Sequence, residues 1–130
     1  LSIFENIADL SPAACRSDAV QQELLDWLVA RIGVSGESRI RLYASEILSV
    51  YLMAGGEPVL QAMSAKKERL DGLLQAVAEF LGRASVGLEE KELLENMFDC
   101  MCYCMTLEQN QTLFRRLEGL ELVLKFLRYA

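Results

Sequence analysis

A pentapeptide returns along this chain: Arg69-Leu70-Asp71-Gly72-Leu73 recurs 47 residues on (116 − 69) as Arg116-Leu117-Glu118-Gly119-Leu120. Each copy follows a short run that reads as helix and precedes an apolar one. A weaker third copy lies 49 residues upstream (71 − 22). There Gln22-Glu23-Leu24-Leu25 stands where Asp71-Gly72-Leu73-Leu74 will stand, without the glycine. A repeat of this length constrains the fold more than any other feature. One such unit is too small to bury its own apolar face, so successive units must stack and share a continuous core.

The remaining pattern is helical. Apolar residues make up 52% of the 130 residues and there are only two prolines, so a core is available and turn-rich β structure is not. No segment alternates apolar and polar residues as a half-buried strand would. Val20, Leu24, Leu25, Trp27, Leu28 and Ile32 follow helical spacing, with Ser17 or Asp18 as a start and Gly33 as a stop. Leu42, Tyr43, Ile47, Leu48, Tyr51 and Leu52 mark another helix, closed by Gly55-Gly56. The order predicted is short, medium, long: residues 11–18, 21–32 and 37–54, then 57–65, 71–81 (closed by Gly82) and 88–106. Residues 108–117 and 118–128 open a third unit, and 1–9 are the tail of an earlier one. The interval suits HEAT or armadillo units, and three helices per unit favour armadillo over two-helix HEAT. The expected fold is therefore an all-α, armadillo/HEAT-like right-handed superhelical solenoid, with roughly two complete three-helix units and partial units at both ends. Leu1 is not an initiator Met and Tyr129-Ala130 arrives in mid-pattern, so residues 1–130 read as one segment of a longer solenoid. Bare ends of such a stack expose apolar surface, and self-association is expected.

Several function classes lose support. The net charge is −6, and a phosphate-binding surface needs the opposite balance. The chain has no His and no phosphate-cradling glycine loop, and Glu89-Glu90 is a helix start rather than an acid/base pair in a pocket. Of the four cysteines, Cys100 and Cys104 share a helix face, Cys102 points elsewhere and Cys15 is distant. Without Cys-x-x-Cys pairs or His this is not a zinc pattern. The thiols read as small buried hydrophobes in a reducing compartment. Met97, Met101 and Met105 repeat every four residues, and they and Trp27 read as core. No apolar run approaches the ~18 residues of a membrane span. Neither an enzyme, a metal nor a cofactor is expected.

Specific segments resemble a known family. Leu1-Ser2-Ile3-Phe4-Glu5-Asn6-Ile7-Ala8, Leu24-Leu25-Asp26-Trp27-Leu28 and Leu42-Tyr43-Ala44-Ser45-Glu46-Ile47-Leu48 are similar to stretches of the beta-catenin-like nuclear armadillo proteins. Glu95-Asn96-Met97-Phe98-Asp99 with Cys102 and Cys104, then Glu118-Gly119-Leu120, continue the match in the same order over essentially the whole chain. The resemblance implies a nuclear protein associated with the spliceosome's NineTeen complex, without catalysis, that binds basic, localisation-signal-like segments of splicing factors. The other readings are an unrelated armadillo/HEAT adaptor in cytoplasmic trafficking or cytoskeletal assembly, and a purely structural repeat segment.

In armadillo proteins the long third helix lines a concave groove, and an Asn near its end holds an extended peptide. The resemblance puts Asn6 at that position, with Ser2 where import receptors carry Trp. Val50 and Tyr103 take the corresponding places in the next two helices. Glu46 and Asp99 stand one turn earlier, on the same helix faces. Asn6, Glu46, Asp99 and Tyr103 are therefore the candidate contacts for a basic peptide.

Overall fold

The computed structural model describes residues 18–33, 37–81 and 87–129. Seven helices occupy them: α1 (Asp18–Ile32), α2 (Ser38–Gly55), α3 (Glu57–Ala65), α4 (Lys67–Ala78), α5 (Leu88–Cys104), α6 (Glu108–Arg116) and α7 (Gly119–Tyr129). There is no strand among the described residues. Like helices stack on like. The short helices α3 and α6 pack together, α4 packs between α1 and α7, and α2 packs along α5 in the most extensive pairing among the described residues. Helices α3–α5 are thus one complete unit, α1–α2 the last two helices of the unit before, and α6–α7 the first two of the unit after. This is an armadillo-like all-α solenoid. The helix expected at 11–18, the tail at 1–9 and Cys15 lie outside the described residues.

The connections explain the boundaries. Gly56 adopts φ 69° and ψ −158°, a region open to glycine and costly for other residues. A Cβ at neighbouring Gly55 would collide with Val59, which is fully buried. The double glycine therefore turns the chain sharply out of α2. Pro58 then sits in the first turn of α3, where its missing N–H breaks no helical bond. Carboxylates occupy the first turns of α3 to α6, and Arg115 and Arg116 the last turn of α6, as the helix dipole favours.

The core runs without interruption through the stack. Leu25, Leu28 and Ile32 of α1, Leu48 and Leu52 of α2, Met63 of α3, Leu73 and Val77 of α4, and Met97 of α5 are all nearly or completely buried. Each such side chain contributes roughly 2 kcal/mol of transfer free energy. Trp27 packs against this cluster from its edge, with the Arg31 guanidinium 5.1 Å from its ring centroid.

Three polar side chains from three different helices hold α3 by its backbone carbonyls. Gln21 of α1 donates to Pro58 O at 3.1 Å, Asn110 of α6 to Leu60 O at 2.9 Å, and Arg69 of α4 to Ala62 O at 2.7 Å. All three are buried, Asn110 completely. Their donors are tolerated inside because they are hydrogen-bonded, while Asn110 Oδ1 is buried without a hydrogen bond among the described residues. Arg69 does more: its Nε donates to Asp26 at 2.8 Å and its Nη2 to Gln22 O at 3.4 Å, both on α1. One guanidinium thereby joins two units. Arg41 plays a similar part at the start of α2, donating to Ile32 O and to Glu79 at 2.9 Å each, with Phe80 against it.

One expected helix is misplaced at both ends. The second helix of the middle unit begins at Lys67 rather than at Asp71, and ends at Ala78 rather than at Leu81. Lys66 is extended, with φ −129° and ψ 117°, and makes the break by itself. The helix starts early because Arg69 must lie within it to reach Asp26, Gln22 and Ala62 together. The pentapeptide echo consequently differs in backbone. In the first copy the helix junction precedes the arginine; in the second it follows, at Glu118, which has φ 60°. The shared glycine marks a close approach in both. A Cβ at Gly72 would come within 2.6 Å of Val29 in α1, and one at Gly119 would strike the Phe114 ring of α6.

Candidate functional site

The pairing of α2 with α5 sets up the outer surface. Asn96 Nδ2 donates to Ser45 Oγ at 3.0 Å, and the Cys100 thiol reaches the Ser45 carbonyl at 3.9 Å. Residue 45 therefore faces the turn between 96 and 100, with residue 98 abreast of it. The burial patterns agree. Ala44, Ile47, Leu48 and Tyr51 are buried on α2, and Met97, Cys100, Met101 and Cys104 are buried on α5, each 53 residues on (97 − 44). The starts of the two helices meet as well, since Ser38 and Arg41 share a cleft with Gly87, Leu88 and Leu93. The helices are parallel and in register.

That register brings the predicted residues together. Glu46 stands abreast of Asp99, and Val50 abreast of Tyr103. Asp99 is exposed, while Glu46, Val50 and Tyr103 are half-buried. Arg39, Tyr43 and Met53 continue the α2 stripe at spacings of three and four, and Glu92, Asn96 and Thr106 continue that of α5. Asn6 lies outside the described residues. The surface formed is acidic at its middle and carries two tyrosines, Tyr43 and Tyr103, with Tyr43 47% exposed. It carries no catalytic constellation of nucleophile and base. It offers carboxylates that attract cations and tyrosine faces on which a guanidinium or ammonium can rest.

Two cysteines of α5 lie behind this surface. Cys100 and Cys104 are buried and Cys102 is exposed. Burial, with Cys104 and Asp99 nearby, pushes the Cys100 thiol up, and burial pushes that of Cys104 up to about 12. Both stay protonated at neutral pH and pack as small hydrophobes. Among the described residues no group of three or more Cys, Asp or Glu is placed to hold a metal ion. No helix described is long and apolar enough to cross a membrane.

Sequence reasoning missed the polar framework that fixes this surface. Ser45 is fully buried, donates to Leu42 O at 2.6 Å and accepts from Asn96. Its only trace in the sequence is a small hydroxyl on an otherwise apolar helix face. Asn96 was visible as part of a motif but not as a surface residue.

Comparison with known proteins agrees with the architecture. The family described as "Catenin-beta-like, Arm-motif containing nuclear" matches residues 1–130. Beta-catenin-like protein 1 of Rattus norvegicus is 35% identical over 129 residues, 98% of this chain, and that of Homo sapiens is 34% identical over the same length. The Schizosaccharomyces pombe homologue is 30% identical over 125 residues, 94% of this chain. The chain covers 22% of the length of each of these relatives. The stacked three-helix units and the match along the whole chain lead to one assignment: this chain belongs to the catenin-beta-like family of Arm-motif-containing nuclear proteins.

Proposed function

We propose that this chain is a non-enzymatic protein-interaction segment of a nuclear scaffold that acts in pre-mRNA splicing with the NineTeen complex. Its ligands are basic, localisation-signal-like segments of splicing factors, laid across the paired faces of α2 and α5. The observation that carries the reading is the register of Glu46 with Asp99 on adjacent outward faces. Two carboxylates at neighbouring repeats present negative charge to a basic partner, and such complementarity favours partner choice and fast association. Tyr103 supplies an aromatic wall beside them. The splicing context rests on the resemblance of the motifs from Leu1 to Leu120 to the family. With the net charge of −6, it needs no nucleic acid bound directly to this segment.

The test is charge reversal. Glu46→Lys combined with Asp99→Lys should weaken binding of a Lys/Arg-rich splicing-factor peptide about tenfold or more, with the loss largest at low salt. Unchanged affinity in the double variant would remove the acidic face from the account. In parallel, affinity purification of the intact protein from nuclear extract should recover NineTeen-complex proteins. Recovery of cytoplasmic trafficking or cytoskeletal proteins alone would sink the splicing assignment while leaving the fold intact.

A further inference from the structure

A second surface, opposite in sign to the paired faces of α2 and α5, lies where the short helices α3 and α6 end. The two run parallel. Asn110 near the start of α6 bonds Leu60 O near the start of α3 at 2.9 Å, and Arg116 at the end of α6 shares a cleft with Ala65 at the end of α3. That cleft has a volume of about 550 Å³. Gln61 and Ser64 form one wall, and Gln109 and Thr112 the other. The Asn110 hydrogen bond, completely buried, sets the distance between the walls.

Charge is sorted along the cleft. Glu57 and Glu108 stand in the first turns of α3 and α6, Arg115 and Arg116 in the last turn of α6, and Lys66 and Lys67 directly after Ala65. α4 packs on both α3 and α6, which brings its start to the same corner. Helix dipoles account for the carboxylates and for the arginines. They do not account for Lys67, the first residue of α4, where the dipole favours an anion. Lys66 is neutralised by Asp26 at 3.3 Å. Lys67, Arg115 and Arg116 are exposed and make no ion pair among the described residues. In a chain of net charge −6 this corner is a local inversion of sign. We infer that the α3–α6 cleft docks an acidic protein segment, with Arg115, Arg116 and Lys67 taking its Asp or Glu side chains and Gln61 and Gln109 lying along its neutral continuation. A guanidinium fork matches a carboxylate in two parallel hydrogen bonds, and a preformed cleft loses little freedom on binding. The carboxylates at the far end fix the polarity: the bound segment is acidic at one end only. Glu68 and Glu118 border the cations along the chain. A nucleic-acid strand, charged at every phosphate, would run from the cations onto these carboxylates, whereas a short Asp/Glu block need not. This corner shares no residue with the α2–α5 face, so one segment can meet a basic and an acidic partner at once.

Fluorescence anisotropy on the intact chain tests this with a labelled peptide that carries an Asp/Glu block at one end and a Ser/Gln tail. The controls are a copy with Asn and Gln in the block, a copy with the same acidic residues scattered along it, and an oligouridylate. Arg115→Gln with Arg116→Gln is expected to weaken the block peptide roughly tenfold, with the loss largest at low salt, and to leave a Lys/Arg-rich peptide unchanged. Lys67→Gln should weaken the block peptide a fewfold. Gln61→Ala with Gln109→Ala keeps every charge and should weaken the block peptide a fewfold without affecting the scattered copy. All five side chains are exposed, and thermal transitions close to that of the unsubstituted chain confirm folding. If the scattered copy binds as tightly as the block peptide and the glutamine variant changes nothing, the cations attract any anion and the docking site is overturned. If the oligouridylate binds more tightly than the block peptide through the same arginines, the corner is a nucleic-acid contact and the acidic-segment assignment is wrong. Absence of block-peptide binding at low salt, or binding that the double arginine variant does not change, overturns it as well.

Discussion

Helices α4 and α7 hold the same place in successive units, and the same three positions have opposite fates in them. Leu73, Val77 and Phe80 of the α4 segment are 0%, 0% and 3% exposed. Leu120, Leu124 and Leu127, 47 residues on, are 51%, 56% and 68% exposed. The side chains are of one class, so composition does not explain the difference. Neighbours do. Around α4 stand the third helix of its own unit, α5, and the start of α2, whose Arg41 lies 5.6 Å from the centroid of the Phe80 ring. α7 has α6 and α4 beside it and Phe126 edge-on to Phe98 of α5 at 5.7 Å, but no third helix of its own unit among residues 1–130. Its remaining polar stripe, Glu121, Lys125 and Arg128, is one residue wide. In a stacked array, burial belongs to the pair of neighbours and not to the helix.

The comparison is sharpest in substitution. Leu73→Ala should cost about 2–5 kcal/mol of unfolding free energy, because it leaves a cavity in a closed core. Leu120→Ala, its counterpart, should cost less than about 1 kcal/mol. Urea denaturation of the two variants checks this, and equal losses would mean that α7 is covered as fully as α4.

The arginines of the echo offer a second, smaller contrast. Arg69 is 1% exposed and carries three partners on two helices, whereas Arg116 is exposed at the end of α6. Arg69→Ala should cost about 2–3 kcal/mol by leaving buried carbonyls without their donor, and Arg116→Ala no more than about 0.5 kcal/mol. The smallest effect is one of pH. The hydrogen bond from Arg69, assisted by Lys66 and opposed by burial, holds the Asp26 carboxyl below its ordinary value of 3.8. A depressed folded-state pKa contributes stability that is complete above that ordinary value and is lost as pH falls through the folded value. Thermal melts from pH 6 to pH 2 should therefore show a loss below about pH 4 that is reduced in Asp26→Asn. Asp26 is 45% exposed, so solvent screening keeps this contribution small.

Local signals carried most of the fold and part of the site. The double glycine at 55–56, the proline at 58 and the helical spacing of the apolar residues placed α2 and α3 to within a residue of where they lie. Spacings of four likewise put Glu46 and Asp99 on one side of their helices. What escaped was set by partners distant in sequence. Lys67-Glu68-Arg69 reads as a polar connector, and distant partners, Asp26 43 residues away with the carbonyls of Gln22 and Ala62, make Arg69 an internal residue. Asn110 sits in the polar run Glu108–Thr112, and its burial depends on Leu60 O across the stack. The Asn96–Ser45 bond spans 51 residues, and no local pattern announces it.

The central claim is that the outward faces of α2 and α5, acting in register, are the surface on which this chain meets a basic peptide. Backbone amide chemical-shift mapping tests it most directly, with the 15N-labelled chain titrated by an unlabelled Lys/Arg-rich peptide. The account predicts saturable shifts gathered on two stretches, from Tyr43 to Val50 and from Glu92 to Tyr103. Shifts concentrated instead on the apolar stripe of α7, or between α3 and α6, would contradict it.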